Sequence, residues 1–515
     1  MSNKIDNRVI VALGFVAVLA LIAKPVWDAR EQWQFGEGRD DAVYIVTAKS
    51  MASGGGYRQE NLPGRPYLTK YPPLFPLLMS VAWKITPDFP RTLQTASILQ
   101  ACLLPIYLAL LFAVLRQLGF SWRRTFLVAA MTYVSFRFVL LAVTLFSELL
   151  FGCFLLAAVF LIERSAESNS FKFALLGGAL AGLAYLTRNA AVPLFAAAPI
   201  FFVLRKRPRL IAAFFATALP MAAAWHLWGF LHPLANGVRT PYLAEFRSMM
   251  QGQNLATHFL EQVTVLSAGT AESFFPGLMG FLRGIPVYHP ILIASVVGAI
   301  RLGRKRHWPV LLIFAALYLI MIVLWTFEGL DRLAVPVWPV LVAGIAEEAS
   351  HLANLFAKSM KKFKQVPRWA LIAAGVLLVV RNDTETRRHL DSVIAAERDL
   401  RLQDIRAYKW IAENADADTV ALAWKDGLLY LYSGVPCSHD LFVGRIPEAE
   451  SIAGRRVPFT PPPAKRALVV LLASDLGGET SDGRQNSLLA AAARVNGSTL
   501  EYSAPGAYVY RIPLP

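Results

Sequence analysis

Apolar runs of roughly 15 to 25 residues recur along this chain almost to position 380, separated by short polar junctions. A water-soluble core has no room for so many, and 56% of the 515 residues are hydrophobic. In lipid every backbone N–H and C=O must be satisfied within its own segment, so each run predicts a transmembrane helix. The runs fall at 9–23, 92–115, 125–145, 148–163, 172–187, 190–204, 210–231, 286–301, 308–326, 333–350 and 367–381. They predict a mainly α, polytopic membrane protein with about eleven spans.

Every second junction is basic: Arg116 with Arg123 and Arg124; Arg164 with Lys172; Arg205, Lys206, Arg207 and Arg209; Arg301, Arg304, Lys305 and Arg306; and a last one from Lys358 to Arg368. Such cations stay on the cytoplasmic side of a membrane. All of these clusters land there if the first run enters from the cytoplasm behind Lys4 and Arg8, which places the C-terminus outside. The net charge of +16 is thereby topology and attraction to anionic lipid, and no nucleic-acid partner is expected.

The remaining junctions face outward. Two are tight and carry an ionisable residue among apolar neighbours, Ser147-Glu148 and Thr187-Arg188-Asn189; one is long, 232–286; and one holds Glu328, Asp331 and Arg332 at the head of a span. Ionisable groups at membrane depth are costly, and each marks either a functional site or a structural ion pair. From 383 the composition turns polar, with helical periodicity over 385–413, strand-like runs at 419–424 and 467–473, a helix at 487–495 and a closing hairpin from 500. The expected division is a transmembrane part, 1–382, and a small soluble α/β domain, 383–515.

The densest chemistry lies in the first external junction, 27–91, and within it over 36–78. Asp40 and Asp41 are adjacent, and Ala42, Val43, Ile45 and Val46 flank Tyr44. The pattern predicts a short amphipathic helix on the membrane surface, begun near Asp40 as its N-cap. An acid there is either a cap or, kept ionised by the helix dipole, a base able to take a proton from an attacking hydroxyl or amine. Gly54, Gly55 and Gly56 form a hinge or a plain turn.

These residues resemble a known pattern. Asp40-Asp41 with Tyr44, then Ala48 and Met51, a glycine run ending in Tyr57, and Lys70-Tyr71-Pro72-Pro73-Leu74 are similar to the first external loop of the GT-C glycosyltransferases, in particular the lipid A aminoarabinose transferase and protein O-mannosyltransferase types. Ser147-Glu148, Thr187-Arg188 and Asp331-Arg332 with Pro336 and Pro339 resemble later elements of the same family, over the chain to about 350; Asp41 stands where the family usually has Glu, and Leu333 where it has Tyr. The resemblance implies a GT-C fold in a bacterial inner membrane, with active site and C-terminal domain on the periplasmic side. It implies a polyprenyl-phosphate sugar as donor and inversion without a covalent intermediate, with membrane lipid around the donor's tail. Asp40 is then the catalytic base, Asp41 orients the acceptor or shares the role, and Lys70, Arg332 and Arg188 hold the donor phosphate. Tyr44, Tyr57, Glu148 and Asp331 are candidates for the substrate site; no metal or other cofactor is favoured, a divalent cation approached by Asp40, Asp41 and Glu148, as carboxylates do in some members of the family, being the alternative. The acceptor is a lipid, a glycan or a protein. A polyprenyl-linked glycolipid transporter or flippase, or an O-antigen ligase or polymerase, is the alternative; the absence of an inverted repeat and the early position of the polar loop weigh against both.

Overall fold

The computed structural model describes residues 7–233, 254–275, 288–324, 330–359, 366–446, 449, 464–472, 474 and 481–513. The chain is mainly helical. The helices are α1 (Asn7–Asp28), α2 (Asp40–Ala52), α3 (Leu74–Ile85), α4 (Arg91–Ala101), α5 (Leu103–Gln117), α6 (Trp122–Val134), α7 (Phe136–Val143), α8 (Glu148–Ser168), α9 (Phe171–Thr187), α10 (Val192–Leu204) and α11 (Arg209–Leu231). They continue as α12 (Leu255–Phe274), α13 (Tyr288–Lys305), α14 (Val310–Val323), α15 (Leu330–Leu333), α16 (Trp338–Ser359), α17 (Val366–Asn414), α18 (Asp426–Ser433), α19 (His439–Arg445) and α20 (Ser481–Arg494).

Among the described residues, four helical stretches are long and apolar enough to cross a membrane: 11–31, 91–117, 148–168 and 209–231. The pair α6 and α7, bent by 63° at Ser135, makes a fifth if it counts as one span. α3, α9, α10 and α14 are apolar but shorter. The protein is a multi-pass membrane protein of helices.

Helix pairs close because glycine lets backbones meet. A Cβ at Gly178 of α9 would stand 2.0 Å from Phe214 O of α11. Gly298 of α13 and Gly344 of α16 face each other so closely that a Cβ on either would lie 1.9–2.0 Å from the other helix's carbonyl oxygen. The polar end of α7 is fastened differently. Its last carbonyls have no partner within the helix, and Gln100 Nε2 donates to Leu141 O at 2.9 Å while Gln32 and Gln34 both donate to Val143 O, at 2.6 and 2.9 Å. These bonds fix the corner that leads into Ser147 and Glu148.

The first external junction holds two helices, and here the structure corrects the expectation. α2 is no surface helix: every residue from Asp41 to Ala48 is buried. α3 covers one side, with Trp83 Nε1 donating to Ile45 O at 2.9 Å and Phe75 edge-on to Tyr44 at 5.1 Å. α18 covers another, with Gly427 so near Ala42 that a Cβ would stand 2.9 Å from its methyl. Nor does Asp40 cap the helix. The N-cap is Arg39, and both acids stand in the first turn. A further helix, α12, lies inside the long junction 232–286, where the sequence reading placed none.

α17 is one continuous helix of 49 residues, and the division expected at 382 falls inside it. No glycine or proline interrupts the sequence from Val376 to Asn414. Beyond it four strands, β1 (Thr419–Ala423), β2 (Arg466–Leu472), β3 (Thr499–Ala504) and β4 (Ala507–Ile512), form one sheet in the order β1-β2-β4-β3. β1 and β2 are parallel, with Ala421 opposite Leu468; the other pairings are antiparallel, with Val469 opposite Tyr510. The two-residue period divides the sheet into two faces. Ala421, Ala423, Leu468, Val470 and Leu472 join the core that contains α2 and the apolar helices, while Val420, Leu422, Ala467, Val469 and Leu471 pack with Phe442 and Leu488 in a second, smaller core.

The glycine contacts set a test. Gly344→Leu should separate α13 from α16 and lower the detergent-solubilised protein's unfolding midpoint by the equivalent of about 3 kcal/mol or more. Gly229→Ala on α11, where a Cβ meets nothing within 4 Å, should leave the midpoint in place. Equal midpoints for the two variants would overturn the close-packing account.

Candidate active site

Four polar side chains from four separate elements meet at one point. Asp40, in the first turn of α2, accepts hydrogen bonds on both oxygens: Tyr71 Oη donates to Oδ1 at 2.6 Å and Arg332 Nη2 to Oδ2 at 2.9 Å. Arg332, in α15, also donates through Nε to Glu148 Oε1 at 2.6 Å. Glu148, in the first turn of α8, takes a second cation on the same oxygen, Arg188 Nη1 at 2.8 Å. Arg188 follows the last residue of α9 and donates also to Ser147 Oγ at 3.0 Å.

Local sequence explains the placement. Both carboxylates stand in the first turn of their helices, where the unpaired N–H groups favour negative charge. Arg188 and Arg332 sit at breaks: α9 stops at Thr187, and only the four residues of α15 precede the proline-containing turn at Val335–Val337. The guanidinium of Arg332 lies 4.0 Å from the centre of the Phe146 ring, a favourable cation–π contact. Glu148 is 2% exposed in its side chain, and Asp40 and Arg332 are 24% and 23% exposed. The carboxylate of Glu148 is thus the sealed anchor, and Asp40 the solvent-reachable end of the same chain of charges.

The sequence-predicted residues divide accordingly. Asp40, Glu148, Arg188 and Arg332 come together in direct contact. Tyr44 joins them through Ser147, its Oη 3.3 Å from Ser147 Oγ. Tyr57 stands a layer back: its hydroxyl donates to Tyr71 O at 2.8 Å and its ring packs against Trp225 and Trp228. Lys70 immediately precedes Tyr71 in the irregular segment ahead of α3, its ammonium 6.0 Å from the Tyr71 ring centre, and its carbonyl oxygen accepts from Asn189 Nδ2 at 3.5 Å. Asp41 is not brought to the cluster. Its carboxyl turns back on its own chain and accepts from Gly36 N at 2.8 Å and Ala42 N at 2.9 Å. The side chain of Asp331 and the whole of Glu328 lie outside the described residues.

Three contributors were not assigned a role from sequence: Tyr71, Ser147 and Phe146. Tyr71 and Ser147 are immediate neighbours of Lys70 and Glu148, so the motif signal reached them but not their hydroxyls' direction. An aromatic floor such as Phe146 carries no sequence signal in a chain with 32 phenylalanines.

Positive charge beside a carboxylate that reaches solvent, at the end of an apolar helix assembly, is an arrangement able to hold a phosphate and to accept a proton. No family model matches the chain, and no curated protein matches it. Solved structures do. ArnT from Cupriavidus metallidurans bound to undecaprenyl phosphate superposes with a TM-score of 0.51 at 13% identity, covering 97% of this chain and 97% of ArnT. The apo form of the same protein gives 0.50 at 13% identity over 92% and 93% of the two chains. The chain has the GT-C fold. At 13% identity the GT-C likeness speaks for the course of the backbone alone.

Within this GT-C fold the buried acid beside the site yields a pH test. Burial pushes the Asp41 carboxyl up from 3.8 to about 6. The folded state therefore holds the proton that the unfolded chain releases. Its contribution to stability is full below pH 3.8 and is lost as pH rises through about 6. The unfolding midpoint of wild type relative to Asp41→Asn should fall between those values and stay level above them. A difference constant from pH 3.5 to 7 would show that burial does not hold the proton.

Proposed function

We propose that this chain is an integral-membrane inverting glycosyltransferase that moves a sugar from a polyprenyl-phosphate donor to a lipid, glycan or protein acceptor on the extracytoplasmic face of a bacterial inner membrane. The observation that carries the reading is the chain of charges Asp40–Arg332–Glu148–Arg188, assembled from four elements of a GT-C fold. The likeness to a structure holding undecaprenyl phosphate favours a donor of that chemistry. About eleven spans, with the five basic junctions in the cytoplasm, would put this cluster and the sheet beyond it on the outer side.

The chemistry follows from the contacts. A sugar carried on phosphate already has a good leaving group, so the protein has to deprotonate the acceptor and receive the negative charge of the departing phosphate. Asp40 takes the proton of the acceptor hydroxyl or amine. The acceptor atom attacks the anomeric carbon from the face opposite the phosphate, the bond from that carbon to the phosphate oxygen breaks, and the electron pair leaves with the phosphate. Arg332 is the hinge of this scheme. It pairs with Asp40 and Glu148 together, and its planar fork suits a phosphate's two oxygens. Arg188 and Lys70 supply the remaining positive charge, and Tyr71 orients Asp40 through Oδ1. With these cations at hand the reaction needs no metal ion, so chelators should leave it unchanged. Asp41, folded into the turn ahead of α2, supports the backbone of the base rather than meeting the acceptor.

Two measurements follow. Asp40→Asn keeps the shape and the hydrogen-bond acceptor but removes the base, and transfer of radiolabelled sugar from polyprenyl phosphate should fall by about 100-fold or more in lipid-reconstituted protein. Retained transfer removes Asp40 as the base. Arg332→Ala and Lys70→Ala should each weaken polyprenyl-phosphate binding by about tenfold or more, the scale of a lost charge-assisted hydrogen bond. Unchanged affinity in both would take them out of the phosphate site.

A further inference from the structure

The turn leading into α2 is held from the far end of the chain. Phe35 O accepts from Arg401 Nη2 at 2.6 Å. Glu37 pairs with Lys425, whose ammonium is buried and also donates to Ser474 O at 2.7 Å. Gly36, with φ of +93°, lies against Leu428, where a Cβ would come within 3.1 Å of its side chain. Arg39, the residue before Asp40, has φ of +56°, a conformation that a non-glycine residue keeps only when its surroundings impose it.

The guanidinium of Arg39 donates to Nε2 of His439 and lies 5.4 Å from the centre of the Trp424 ring. A guanidinium only donates, so Nε2 is the acceptor and the imidazole proton sits on Nδ1. His439 is itself rigid. It is 2% exposed, its ring lies 4.8 Å from that of Trp424, and its backbone N–H donates to Asp426 Oδ2 at 3.3 Å. Lys425 caps the start of one apolar helix, α18, Asp426 is its first residue and His439 follows it; α18 packs directly on α2 through Gly427 and Ala42.

We propose that His439 and Lys425 are positioning residues for sugar transfer: they fix the turn 36–39 and thereby the aim of the Asp40 carboxylate. The inference rests on the function proposed above. Neither side chain touches substrate in this scheme. Both act on Asp40 through the backbone immediately ahead of it, where a displacement of about 1 Å at a reacting group lowers rate by up to about 100-fold. The donor phosphate is held by Lys70, Arg188 and Arg332, which stand on other elements. Loss of the clamp should therefore fall on turnover and not on donor binding.

The test uses the full chain in lipid, with kcat and donor KM measured for radiolabelled polyprenyl-phosphate sugar beside the unfolding midpoint. His439→Lys places a cation against Arg39, and Lys425→Met strips Glu37 of its closer cation, leaving Arg401 at 3.8 Å. Each should lower kcat about tenfold or more while donor KM stays within about twofold. His439→Gln, whose amide oxygen still accepts from Arg39, should recover kcat to within about threefold of wild type. Wild-type kcat in His439→Lys and Lys425→Met overturns the proposal. So does a loss of kcat accompanied by an equal loss of donor binding and a lowered midpoint, with Gln no better than Lys, since that is general unfolding. If the wild type itself moves no sugar, the proposed function falls and this role falls with it. If the wild type transfers, Asp40→Asn does not, and the His439 and Lys425 variants are normal, this inference alone falls.

Discussion

The site depends on one oxygen. Glu148 Oε1 receives the guanidinium of Arg332 at 2.6 Å and that of Arg188 at 2.8 Å, and through Arg332 the same link reaches Asp40. A carboxylate sealed among apolar side chains is tolerable only when cations meet it, and two guanidiniums so close together are tolerable only because it lies between them. Each charge thus holds the others in place. The consequence reaches the backbone: α2 and α15 lie far in sequence from each other and from the consecutive helices α8 and α9, and the polar ends of all four are brought to a common point by this mutual neutralisation.

Much of the scaffold was legible beforehand because hydrophobic length is a local property. The apolar runs around 92–115, 148–163 and 210–231 each lie in a helical stretch long enough to cross a membrane, and strands form at 419–423 and 466–472, where continuous buried runs were read. The acidic, basic and aromatic residues singled out from the junctions include all four members of the charge chain. What local pattern does not hold is partnership. Asp40 and Arg332 are 292 residues apart, and nothing in either segment names the other. The same limit explains α2. Two acids ahead of the apolar run 42–46 suggest a helix resting on the membrane surface, but α3 and α18 cover it from both sides, and α18 comes from the C-terminal part of the chain. Asp41 shows the reverse case, an acid whose neighbours in sequence capture it: its carboxyl accepts from the N–H groups of Gly36 and Ala42.

The C-terminal sheet belongs to the same argument. One of its faces shares the core of the apolar helices, and the residues that follow β1 reach the turn ahead of Asp40. The alternation along β1 and β2 divides the work between faces, Ala421 and Ala423 toward the helices, Val420 and Leu422 toward the smaller core. A short helix with a glycine at its second position, α18, makes the approach to α2 possible, since any larger residue at Gly427 would collide with Ala42.

α17 runs unbroken for 49 residues, about 74 Å of helix. It begins in an apolar stretch and its far part packs against β3 and β4, so it works as a strut between that stretch and the sheet. A strut of fixed length sets an altitude. The sheet, and with it the turn ahead of Asp40, stands at a distance from the start of α17 that the chain cannot adjust by bending a linker. Under the proposed function, an acceptor would have to bring its reacting atom to a carboxylate whose distance from the start of α17 is set by the length of that helix.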